Sequence, residues 1–102
     1  MNRIFKIEAE IKINKEGGRT WPVKTGYRPG FKFINKMQTS GSILLLNTED
    51  LKPGEKGIVE VSFISNELLG EIHFGTEFKF YEGPVEIGDG KVLKVIGWIE
   101  SH

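Results

Sequence analysis

The sequence contains no cysteine among its 102 residues. That excludes disulfides, thiolate metal centres and cysteine nucleophiles. It fits a reducing compartment, so a cytoplasmic protein is expected. Histidine is scarce too, with His73 and His102 the two present. Charge of one sign is not in excess: fourteen Lys and Arg balance fourteen Asp and Glu. A uniformly basic nucleic-acid coat is thereby excluded. No apolar run approaches the roughly 18 residues that span a bilayer. Arg3, Lys6 and Glu8 interrupt the first apolar residues, so neither a signal peptide nor a membrane partner is expected. No segment repeats apolar residues at i, i+3, i+4 and i+7 over three turns, so helices are not expected. There is no low-complexity stretch, internal repeat or domain boundary. With 38% apolar and 27% charged residues, positions 1–102 read as one globular domain.

What the sequence does have is a period of two. Phe5, Ile7, Ala9, Ile11 and Ile13 alternate with Lys6, Glu8, Glu10 and Lys12, which predicts a long strand with one buried face. Phe31 and Phe33 flank Lys32 in a short strand. Ser42–Leu46 is a continuous apolar run, the pattern of a strand buried on both sides. Lys52-Pro53-Gly54-Glu55 predicts a type II turn, Pro supplying the fixed φ and Gly the positive one. In 58–64, Val59, Val61 and Phe63 alternate with Glu60 and Ser62. Phe78 and Phe80 alternate with Lys79 and Tyr81. Residues 91–98 predict the last strand, Leu93 and Val95 opposing Lys94. Thirteen glycines and four prolines punctuate these segments. Six or so strands without a covering helix predict an all-β closed barrel, because closure removes exposed edges.

Charge is balanced in total and uneven along the chain. Residues 1–48 hold nine basic and three acidic residues, a balance of +6, and residues 49–102 hold five and eleven, a balance of −6. If the carboxylate-free segment between Gly17 and Thr48 lies on one face, the protein has a basic side suited to phosphate or an acidic protein.

Catalytic chemistry finds little support. Glu71 and His73 would share one strand face, but a general base needs a third, orienting partner. The carboxylates lack ligand spacing, and no serine sits in a Gly-x-Ser-x-Gly elbow. Gly88-Asp89-Gly90-Lys91 lacks Walker spacing and a following helix, and reads as a tight hairpin. A non-enzyme with no metal, nucleotide or other cofactor is expected.

Two glycine-rich stretches remain. Lys15-Glu16-Gly17-Gly18-Arg19-Thr20-Trp21-Pro22, followed by Gly26-Tyr27-Arg28-Pro29-Gly30-Phe31-Lys32-Phe33, interleaves cations with aromatics, a pattern that suits nucleic acid. Phe31 and Phe33 fit a core better than a stacking platform. Trp21 and Tyr27 fit rings with a polar tip at the surface. The second stretch, Tyr81-Glu82-Gly83-Pro84 with Gly88-Asp89-Gly90, reads as a hairpin.

Glu8-Ala9-Glu10-Ile11, Glu16-Gly17-Gly18-Arg19, Gly26-Tyr27-Arg28-Pro29, Phe31-x-Phe33, the Pro53-Gly54 turn, Glu82-Gly83 and Lys94-Val95-Ile96-Gly97 resemble, in order, the C-terminal β-barrel domain of translation elongation factor Tu. The resemblance covers residues 7–97. It implies a six-stranded antiparallel closed barrel of Greek-key order. In the full factor this domain packs on a GTPase domain, touches the T-stem of aminoacyl-tRNA and meets a nucleotide-exchange partner. The chain has no P-loop, so GTP hydrolysis does not carry over. It begins its first strand at once, which reads as a stand-alone barrel. The resemblance implies an RNA-facing set of Arg19, Lys24, Arg28, Ser40, Glu82 and Gly83. The chain departs from the family around that set. Thr20 and Trp21 stand where the family has histidine and threonine, and Gly30 where it has glutamine. Pro84-Val85-Glu86 replaces Gly-Arg-Thr, losing a cation and gaining a carboxylate beside phosphate. Scaffold residues are kept and side chains near the RNA turn are changed. That ranks a protein-interaction module, docking on a translation GTPase or on a protein that binds elongation factor Tu, ahead of a weak tRNA-binding module.

Overall fold

The computed structural model describes residues 2–16, 21–33, 37–65, 67 and 69–101. The alternation in the first segment forms β1 (Asn2–Ile13), whose apolar set from Phe5 to Ile13 is buried. Seven further strands follow: β2 (Val23–Lys24), β3 (Gly30–Phe33), β4 (Thr39–Leu45), β5 (Asp50–Leu51), β6 (Lys56–Phe63), β7 (Glu77–Glu82) and β8 (Val85–Ser101). Six of them close an antiparallel barrel in the order β1-β6-β4-β3-β7-β8, with β8 returning to β1. β2 and β5 pair separately and bury Val23 and Leu51. No helix occurs among the described residues. The predicted all-β closed barrel of six antiparallel strands is therefore present.

Aromatic rings fill the interior. Phe31 is fully buried, with ring centroids 5.4 Å from Phe63, 5.6 Å from Phe78 and 5.8 Å from Phe80. Glycines facing inward make room for them. A Cβ on Gly41 would stand 2.8 Å from both Phe63 and Val61, and one on Gly90 would stand 2.7 Å from the Phe78 ring. The 52–55 turn forms as expected: Gly54 has φ +89° and the Glu55 amide donates to the Lys52 carbonyl at 2.9 Å.

Five expectations change. Ser42–Leu46 is buried on one face only, and Leu44 on β4 is 44% exposed. Four apolar residues in a row therefore mark a strand with an apolar outer face. Gly88-Asp89-Gly90-Lys91 is not a hairpin but the interior of β8, opposite β1 on one side and β7 on the other. Its glycines yield space to Phe78 and Phe80 rather than turning the chain. The last strand starts at Val85, and Val92 is buried rather than Leu93 or Val95. Register shifts against Lys6/Ile7 and Glu8/Ala9 leave Ile96 and Leu93 as extra residues. Such bulges reset the in–out alternation. Glu71 and His73 share no strand; they lie between β6 and β7, both exposed. Finally, the basic and acidic halves interleave, because β3 contacts β7 and β1 contacts β6 and β8. Lys6 Nζ on β1, for example, lies 2.8 Å from Glu60 on β6.

Candidate functional site

β7 and β8 are joined through Gly83 and Pro84, flanked by the pair Glu82 and Val85. Gly83 has φ +57°. Proline at the second central position holds a negative φ, so glycine alone supplies the positive one; that combination suits a II′ hairpin. Two side chains from elsewhere brace this turn. The Tyr27 hydroxyl donates to Glu82 Oε1. Gln38 Nε2 donates to the Gly83 carbonyl at 3.2 Å. Gln38 reaches it across the bare backbone of Gly30, where a Cβ would stand 2.5 Å from Gln38 Oε1.

The sequence-derived residues are placed unevenly. Glu82 and Gly83 form the turn, and Ser40 on β4 is exposed opposite Gly30, which in turn opposes Tyr81. Ser40, Gly30 and Tyr81 lie at one level across β4, β3 and β7, one residue before Glu82. Arg28 is exposed in the segment leading into β3. Lys24 lies on the separate β2–β5 sheet opposite Asp50, where its carbonyl accepts from the Tyr27 amide at 3.1 Å. Arg19 and Thr20 lie outside the described residues. Trp21 is 75% exposed rather than ring-buried, whereas Tyr27 packs partly against the core.

The turn's surroundings are acidic and apolar. Glu86 follows it, with Oε1 3.1 Å from Lys79 Nζ. That hydrogen bond and the carboxylate charge hold the Lys79 ammonium above its ordinary range. Val85 and Met37, which adjoins Gln38, are exposed. Sequence reasoning did not identify Gln38, because its partner lies 45 positions away and the only local trace is the missing side chain at Gly30.

Elsewhere, His73 sits in a turn closed by its amide donating to Thr76 Oγ1 at 3.0 Å, with ring Nδ1 2.9 Å from the Phe74 carbonyl. Among the described residues no group of three or more His, Asp or Glu is placed to hold a metal ion.

Gln38→Ala tests the brace. Both partners are exposed, so stability should change by less than about 0.5 kcal/mol. Amide shifts should nevertheless move around Gly30 and at residues 81–86. Shifts confined to position 38 and its neighbours would show that the side chain braces nothing. No known protein-family model matches this chain.

Proposed function

We propose that this barrel is a non-catalytic, cytoplasmic interaction module of the elongation factor Tu domain-3 type. Its partner is a translation GTPase or a protein that binds elongation factor Tu. The strand order supports the Greek-key part of this reading: β3, β4 and β6 are consecutive neighbours, and β1 lies beside β6. One observation carries the functional part. The braced Glu82–Val85 turn presents Glu82, Glu86, Val85 and neighbouring Met37. Exposed apolar side chains beside carboxylates that already hold a tyrosine hydroxyl and a lysine suit a protein surface.

The test titrates labelled protein with the isolated GTPase domain of elongation factor Tu, and separately with tRNA, at low and moderate salt. Salt-tolerant shifts at Met37, Gln38 and residues 82–86 with the protein support the module. Shifts at Lys24, Arg28, Ser40, Glu82 and Gly83 with tRNA that fade with salt support the RNA-binding alternative instead. Silence toward both at millimolar concentration, on the order of 4 kcal/mol, sinks the RNA reading and docking on the GTPase.

A further inference from the structure

One row of side chains crosses five consecutive strands on the barrel's outer wall. Lys56 on β6 opposes Lys12 on β1, and Lys12 opposes Asp89 on β8. Asp89 opposes Lys79 on β7, and Lys79 opposes Lys32 on β3. All five are exposed. With strands about 4.8 Å apart, the row runs roughly 19 Å around the curved outside of the closed six-stranded barrel. It places two pairs of ammonium groups on directly opposed positions, an arrangement that destabilises a sheet. A strand surface free of other demands would alternate the signs.

The wall is also hollowed along this row. One depression, of about 410 Å³, is lined by Lys32, Lys79, Tyr81, Glu77 and Asp89. A second, of about 310 Å³, is lined by Lys12, Lys56, Lys91, Glu10, Glu77 and Asp89. They meet at Glu77, Asp89 and Gly90, so each hollow holds one opposed lysine pair, the second adds Lys91, and two carboxylates stand between the pairs. Nearby carboxylates are not ignored: Glu86 bonds Lys79, and Glu10 and Glu77 flank Lys91 in the next row. An ammonium has three N–H donors, so Lys79 keeps donors for an incoming oxyanion.

Tyr81 narrows the ligand class. It is half-buried in the hollow that holds Lys32 and Lys79. A ring beside paired cations suits a chain that has phosphates and flat bases together, which an acidic peptide does not. We propose that this wall binds single-stranded nucleic acid, with the backbone lying along Lys56, Lys12, Lys79 and Lys32 and a base stacked on Tyr81. The surface adjoins the Glu82–Val85 turn at Tyr81 and Glu86, and the proposal rests on the lysine row rather than on the docking reading above.

The experiment measures anisotropy of labelled 12-nucleotide RNA and DNA strands of the same mixed sequence, across a salt series. Binding by either strand is expected, and a preference between them identifies which backbone is read. Lys12→Gln with Lys56→Gln, and Lys32→Gln with Lys79→Gln, should each weaken it and lower the salt slope by about 1.4, at roughly 0.7 per lost phosphate contact. Tyr81→Leu should weaken it about tenfold at constant salt slope. Asp89→Asn should tighten it, a gain that a misfolded variant cannot mimic. Lys94→Gln, exposed on β8 outside the row, should leave it unchanged. Absence of binding at low salt overturns the proposal. So does binding that Lys94→Gln weakens as much as the lysine pairs do, or that poly-glutamate of equal charge displaces as well as unlabelled strand.

Discussion

Phe31→Ala is expected to lower the unfolding free energy by about 3–5 kcal/mol. The side chain is fully buried, and its ring meets three other phenylalanine rings within 5.8 Å. Those rings come from β6 and β7, the neighbours on either side of the β3–β4 pair. Truncation therefore opens a void that no single strand can close by shifting. Domains of this size have about 5–15 kcal/mol in total, so the loss is a large fraction of stability. Urea unfolding followed by circular dichroism reads it as a lower midpoint at unchanged slope. A loss below about 1 kcal/mol would mean that the four rings do not form a tightly packed unit.

Gly88→Ala is expected to destabilise by about 2–3 kcal/mol, within the range for overpacking. The backbone φ of Gly88 is not the reason. The added Cβ would stand 2.5 Å from the Lys12 carbonyl oxygen and press on the Phe80 ring. The carbonyl belongs to a strand paired on both sides, so it has nowhere to go. Gly30→Ala is the matched control. Its Cβ would meet only the amide tip of Gln38, also at 2.5 Å. That tip can swing away and release the turn, so stability should change by less than about 0.5 kcal/mol. Equal midpoints for the two variants in the same urea titration would contradict this account.

These two glycines show where the sequence was legible and where it was not. β1 and β6 are plain in the chain, because strict alternation reports one buried face and needs no knowledge of the neighbour. The sequence pattern makes β8 nine residues too short, 91–98 against Val85–Ser101, in part because Gly88 and Gly90 locally resemble turn residues. Their reason for being glycine lies on other strands, in the rings of Phe80 and Phe78. The extra residues Leu93 and Ile96 likewise answer to β1 rather than to their own neighbours. At the candidate site, the Glu82-Gly83 turn was visible as turn chemistry. The brace from Gln38 was invisible, since it depends on a side chain that Gly30 lacks. The lysine row was hidden for the same reason: its members lie far apart in the chain, and only the strand register aligns them.

The seam of the barrel joins β1 to β8, with register pairs running from Asn2 and Ser101 to Ile13 and Gly88. Contacts of such long sequence separation form late, and β topologies dominated by them fold over milliseconds to seconds. On the ribosome, where chains grow at roughly 5–20 residues per second, the first strand waits several seconds for its final neighbour to emerge. During that interval the face from Phe5 to Ile13 has no complete core to enter. Its hazard of aggregation is greatest while the chain is being made, and a chaperone that shelters one apolar strand would matter more at that stage than at any time after the seam has closed.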